Sequence, residues 1–233
     1  MSTAADPEAL LDNLFWHALT GAQAHFATGE GDIRRFATGF SPIVGFADPE
    51  RPQLDALLPY CETGEQFYCD GWSGAAPPGW RIDAEARMRK MIWRGPMPAQ
   101  DEAREAVRLG PAQLPQILDL VSLTRPGPFG PRTIELGEYF GLVDAASGRL
   151  MAMTGERCAA GPLREISGVC THPDFQGRGL ARRLMAKVIR RQMQRGETPV
   201  LHVMSSNEGA CALYRRMGFA DHRETVVRVI SRN

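Results

Sequence analysis

Hydrophobic and polar positions change their period several times along the chain. Residues 6–19 carry apolar side chains at helical spacing, and residues 52–60 predict a second short helix. From Ile82 onward, Ile82, Ala84, Ala86 and Met88 alternate with polar residues, as on a half-buried strand. Residues 72–79 read WSGAAPPG, a loop by their Gly and Pro content. Residues 94–105, with two prolines and several charges, read as a linker. Beyond them the order becomes regular. A short strand at 107–109 and a helix from Pro111 to Leu123 precede a Pro/Gly-rich loop at 125–131. Strands follow at 139–143 and 150–157, joined by a turn at 144–148, and a third strand spans 165–171. A long helix at 179–194, a strand at 200–204, a helix at 208–217 stopped by Gly218, and a strand at 225–230 finish the chain. The pattern predicts an α/β protein of the α+β type with a mixed sheet. It divides into a smaller α+β N-terminal domain, residues 1–103, and a second domain, residues 104–233.

Composition narrows the function. The chain has 233 residues with 27 basic and 27 acidic side chains, so its net charge is zero. That balance argues against nucleic acid or an anionic membrane as a partner, since both need a basic field. The five cysteines are odd in number and include no C-x-x-C pair, which argues against a zinc ribbon and suits reduced thiols in the cytoplasm. No metal is expected. The first 15 residues carry Asp6, Glu8 and Asp12 with no basic residue, unlike a signal peptide, and no apolar run approaches the roughly 18 residues of a membrane span. The zero balance is also a cancellation. Residues 1–60 hold eight acids against Arg34, Arg35 and Arg51, whereas residues 176–195 hold seven cations and no acid.

That cationic stretch begins at the most informative segment, VCTHPDFQGRGLA, residues 169–181. A strand ends, Gly177 and Gly179 follow, and a helix begins at once. Such a turn gathers backbone N–H groups beside the positive end of the helix dipole and suits a phosphate or pyrophosphate. Glycines let a ligand approach the backbone closely. Arg178, Arg182 and Arg183 stand beside this anion site, while Arg190 to Arg195 read as a solvated helix face. The segment lacks the last small residue of G-x-G-x-x-G, and no G-x-x-x-x-G-K-[ST] occurs, which sets a Rossmann dinucleotide binder and a P-loop NTPase behind.

Three motifs in order resemble the GNAT superfamily of acyl-CoA-dependent N-acyltransferases. Gln176-Gly177-Arg178-Gly179-Leu180-Ala181 satisfies the family's [QR]-x-x-G-x-[GA] signature. Asn207, Ala210, Tyr214, Gly218 and Phe219 have the family's downstream spacing, and Glu165 stands where one branch carries a glutamate base. The resemblance covers roughly residues 105–233. Residues 1–100 match loosely, and a degenerate partner of the same fold is one reading of them.

The resemblance implies a GNAT-like fold with splayed central strands, and acetyl-CoA or another acyl-CoA as co-substrate. Val169, Cys170 and Thr171 would offer backbone groups to the pantetheine arm, with the Val169 N–H available to an oxyanion. Residues 176–181 and Arg182 would hold the pyrophosphate, and Asn207 would contact the pantetheine or the acyl site. Tyr214 would protonate the departing thiolate; by pattern alone it belongs to the apolar stripe Ala210, Leu213, Tyr214 and Met217. Glu165 would take the amine proton if burial lifts its pKa. His172, before Pro173 in a turn, reads as a surface residue, and Cys170 lacks a partner base for covalent catalysis. Phe129, Arg132 and Tyr139 are the acceptor-site candidates. The implied activity is transfer of an acetyl or short acyl group to a small-molecule or peptide amine. A catalytically silent acyl-CoA sensor is the alternative, and a homodimer is left open.

Overall fold

The computed structural model describes residues 7–233, so the first residue of the expected 6–19 helix lies outside the described residues. That helix starts as a tight 3₁₀ stretch, Pro7–Asn13, and continues as α1 (Leu14–Thr20). A small antiparallel sheet of β1 (Ala27–Thr28), β2 (Ile33–Phe36) and β3 (Val44–Phe46) follows. The helix expected near residues 52–60 is a 3₁₀ helix, Leu54–Tyr60, with Pro59 inside it. Then come β4 (Gln66–Asp70), β5 (Trp80–Trp93), β6 (Val107–Arg108) and α2 (Leu114–Thr124). The rest is β7 (Tyr139–Val143), β8 (Leu150–Ala160), β9 (Leu163–Thr171), α3 (Leu180–Gln194), β10 (Thr198–Met204), α4 (Glu208–Met217) and β11 (Phe219–Arg232).

Eight strands form one sheet in the order β4-β11-β5-β10-β9-β8-β7-β6. Each adjacent pair is antiparallel apart from β9 and β10, which run parallel with α3 as their crossover. The mixed sheet expected from the pattern is therefore present. Two of its strands, β4 and β5, come from before residue 104, and six come from beyond it. β5 and β11 pair along nearly their whole length, from Trp80–Arg232 to Trp93–Phe219. Where the pattern predicts a last strand at 225–230, β11 starts directly after the Gly218 helix stop.

Strand alternation sorts the side chains onto two faces. On one face α3 and α4 bury Leu184, Met185 and Cys211 against Ile166 and Leu201. On the other, α1 buries Leu14, Phe15 and Ala18 against Ile92, Cys158 and Val200. Consecutive residues Val200 and Leu201 of β10 thus point to opposite cores. α2 packs on the sheet through Ile117 and Leu120, near Met153 and Cys170. Among the described residues no helix is long and apolar enough to cross a membrane.

The segment expected as a linker, residues 94–105, contains no helix or strand but is packed in place. Ala103 is fully buried in the α3-side core, and the carbonyls of Pro98 and Ala99 accept hydrogen bonds from Arg190. Charge on α3 holds what local structure does not.

Tyr139 of β7 is fully buried, and its ring lies flat over Gly155 of β8, where a Cβ would overlap it. Gly155→Ala should lower unfolding stability by about 1–3 kcal/mol, the usual range for overpacking. Urea denaturation reads this as a lower midpoint at constant slope; an unchanged midpoint contradicts the packing described.

Candidate active site

β9 and β10 pair from Leu163–Thr198 to Ile166–Leu201, and there the ladder ends. β9 continues to Thr171 and β10 to Met204, so the two strands part. Gly168 is the local cause on β9. Its φ of 64° lies in the left-handed region, and the β8–β9 register shifts beside it, between Met153 and Gly155. This is the bulge that a strand glycine can mark. Between the parted strands lies a cavity of about 280 Å³, walled by Ser167, Gly168 and Val169 on one side and His202, Val203 and Met204 on the other. Arg157, Glu165, Asn207 and Tyr214, residues 125–128 of the loop after α2, and Tyr68 and Met88 also line it. The cavity opens where the sheet opens.

Glu165 sits just before the parting, on the α1 side, and is 1% exposed. Its Oε1 accepts from Arg157 Nη2 at 2.6 Å and meets His202 Nδ1 at 2.7 Å. Its Oε2 accepts from Arg157 Nε at 2.9 Å and from the Cys158 backbone N–H at 3.3 Å. Burial alone would raise its pKa, but the Arg157 guanidinium and the His202 hydrogen bond outweigh it and hold the carboxyl well below the usual range. The condition on which Glu165 would take the amine proton, a pKa lifted by burial, is therefore not met. A carboxylate with two strong partners on one oxygen and two on the other is a poor proton acceptor.

Tyr214 of α4 approaches the gap from the opposite face, within the α3-side core. Burial pushes its phenol up to about 12, so it stays protonated through the neutral range. Asn207 caps α4 by accepting from the Ala210 N–H through Oδ1 at 3.1 Å, and it borders the cavity. Cys170 is buried, and that burial pushes its thiol up to about 11. Such a thiol is a weak nucleophile at neutral pH. His172 caps the turn that follows β9, and its Nδ1 accepts from the Asp174 N–H.

That turn delivers the glycine loop. Gly177 and Gly179 have φ of 75° and 71°, and a Cβ built on either would meet nothing within 4 Å. The space over the loop is open to a ligand, and α3 starts immediately after Gly179. The cations nearby are largely committed elsewhere. Arg182 pairs with Glu102 at 2.6 Å, Lys187 with Asp101 at 2.5 Å, and Arg183 with Glu105. Arg191 and Arg195 bind Glu138, and Arg195 also binds Glu156 and Glu197, so the exposed face expected here also carries an ion-pair network. Among the described residues Arg178 has no carboxylate within ion-pairing distance. It stacks over the Phe175 ring, 5.0 Å from its centroid.

The acceptor-site candidates fall beside the cavity rather than in its wall. Arg132 pairs with Glu135 and covers the Phe40 ring, Tyr139 is fully buried, and Phe129 packs edge-on against Tyr139. The first half of the same loop, residues 125–128, lines the cavity instead. Sequence reasoning missed His202, Tyr68 and Met88. Only His202 carried a signal, as a polar residue amid the apolar run of β10.

Comparison with known proteins bears out the class that this fold defines. A family model described as FR47-like protein matches residues 139–229. A protein assigned to the GNAT family, from Novosphingobium aromaticivorans DSM 12444, is 34% identical, over 98% of this chain and 99% of that one, with a TM-score of 0.86. Two more distant structures share the fold. A GCN5-related N-acetyltransferase from Kribbella flavida is 12% identical over 99% of this chain and 96% of that one, with a TM-score of 0.57. A GNAT-family acetyltransferase from Colwellia psychrerythraea is 12% identical over 99% and 98%, with a TM-score of 0.53. A search of curated proteins found no match. The chain belongs to the GNAT family of acetyltransferases.

Removing the Glu165 carboxylate would leave Arg157 buried without its partner. Glu165→Ala should cost about 3–5 kcal/mol of stability, as for breaking a buried ion pair from one side. A loss under 1 kcal/mol in chemical denaturation contradicts the pairing.

Proposed function

We propose that the protein moves an acetyl or short acyl group from acyl-CoA to an amine by direct attack in a ternary complex. The observation that carries this reading is the parting of β9 and β10 beside the open glycine turn. A gap through the sheet lets two substrates meet from opposite faces.

The residues fit an acyl-CoA. The exposed N–H groups of residues 177–179 and the first turn of α3 suit its pyrophosphate, and Arg178 is the nearby cation without a carboxylate partner. Arg182, already paired with Glu102, contributes only by exchanging that partner. The backbone of Val169, Cys170 and Thr171, free of β10 beyond the parting, suits the amides of the pantetheine arm, and the Val169 N–H is the donor for a developing oxyanion. Asn207 borders the acyl end of this path.

Tyr214 holds a proton where the leaving sulfur would emerge. Burial keeps that phenol protonated until thiolate charge develops beside it. The acceptor amine then enters from the α1 side, where His202, Glu165 and Tyr68 lie. The N-terminal half thereby supplies part of the acceptor wall through Tyr68 and Met88.

Release of CoA thiol in the presence of an amine panel tests this function directly. Acetyl-CoA binding with no turnover on any amine favours an acyl-CoA sensor instead. Tyr214→Phe should lower kcat by about 10²–10⁴ while leaving the acetyl-CoA Kd nearly unchanged, because a positioned acid acts on the chemical step. Gly179→Val, which places a branched side chain over the loop, should weaken acetyl-CoA binding about tenfold or more in calorimetry. Retained affinity sinks the pyrophosphate assignment.

A further inference from the structure

One side chain that lines the cavity carries a buried polar atom without a partner. His202 is 4% exposed at its side chain, and its Nε2 makes no hydrogen bond, whereas its Nδ1 lies 2.7 Å from Glu165 Oε1. An ionised carboxylate can only accept, so Nδ1 must carry the proton that joins them. In the neutral ring Nε2 is then a bare acceptor. Buried acceptors are nearly always satisfied, and an exception in a cavity wall marks a place where something else donates.

We propose that His202 is the general base for the acceptor amine, with Glu165 and Arg157 as positioning residues behind it. The proposal rests on the acyltransferase reading and assigns its missing proton acceptor. Glu165 cannot fill that role, because its oxygens are taken by Arg157, Cys158 and His202 itself. What it can do is orient the imidazole and stabilise the cation formed when Nε2 is protonated. The Phe15 ring, 5.1 Å from the imidazole centroid, helps to fix the ring plane.

The other charges around the ring come as closed pairs or lie at the rim. Lys90, opposite His202 across the β5–β10 ladder, is held at 2.5 Å by Asp70 of β4. Arg157 on β8 is neutralised by Glu165 on β9. Tyr68 on β4, Tyr214 on α4 and exposed Arg125 in the loop after α2 share the cavity wall. Proton transfer to Nε2 therefore places a second cation, after Arg157, on the Glu165 carboxylate.

The step balances as follows. Nε2 takes one proton from the acceptor ammonium, and the freed nitrogen lone pair forms a bond to the thioester carbonyl carbon. The C–S bond breaks, its electron pair leaves with sulfur, and the Tyr214 hydroxyl proton passes to that sulfur. The second nitrogen proton restores the phenol, and His202 returns its proton to solvent. Amide, CoA thiol and one released proton result.

His202→Asn keeps a donor near the position of Nδ1 and deletes Nε2. With acetyl-CoA and a primary alkylamine that the wild type uses, kcat/KM should fall by about 10²–10⁴, with the acetyl-CoA Kd unchanged within about twofold. With an alkoxyamine, which is already neutral at the assay pH, the deficit should shrink to less than about tenfold, since no proton has to be removed before attack. Equal deficits on both acceptors, or none on the alkylamine, overturn the base role while leaving the transferase reading intact. No turnover by the wild type on any amine overturns both. A measurement on the wild type guards against a variant that fails to fold: long-range ¹⁵N–¹H spectra of histidine-labelled protein at pH 7.5 should show His202 with Nδ1 protonated and Nε2 bare. A proton fixed on Nε2 removes the proposal.

Discussion

The parting of β9 from β10 is the constraint on which the site depends. Parallel strands normally continue to bond until one of them ends. Here the ladder stops after Ile166–Leu201, although both strands run on. Freed backbone groups and a cavity lined from both strands follow from that one event. The Gly168 bulge turns β9 away, while β10 is held on its other edge by five consecutive pairings to β5, from Val200–Ile92 to Met204–Met88. One strand bends and its neighbour is clamped, so the gap is built in.

Because the clamp is β5, the first hundred residues belong to the architecture of the site. β5 aligns His202, and β4 carries Tyr68 to the cavity and Asp70 to Lys90. α1 covers the same face and sets Phe15 against the imidazole. The titratable groups around the cavity are thus divided by the sheet. The Glu165–His202 pair lies on the α1 side, and Tyr214 lies on the α3 and α4 side.

Electrostatics follow a similar division of labour. The helix α3 looks like a phosphate-seeking surface when its cations are counted along the chain. In the fold, acids from residues 101–105, Glu138, Glu156 and Glu197 absorb most of that charge, which pins an irregular segment and the strand ends around the helix. Beside the glycine turn, among the described residues, Arg178 is left without a carboxylate partner and lies over the Phe175 ring. Exposed pairs of this kind add little stability one by one. As a network they fix where the segment lies.

The mixed α/β character, the positions of α3 and α4, the glycine turn and the family are legible along the chain. These are local signals, since helical period, a Gly-x-Gly turn and the spacing from Asn207 to Phe219 are all written within a few turns of chain. The family resemblance also singled out Glu165 and Tyr214 as candidate side chains. The short strands β1 to β4 escaped the sequence pattern because they are too brief for alternation to show, and β11 was foreshortened because its solvent-facing half is polar. Only the tertiary structure decided what Glu165 is next to. Arg157 lies eight residues away in sequence and His202 thirty-seven, and their meeting reverses the direction in which burial alone would move the carboxyl. Pairing of groups distant in sequence follows from strand order and register, and a pKa is set by neighbours. Neither can be read from the order of residues alone.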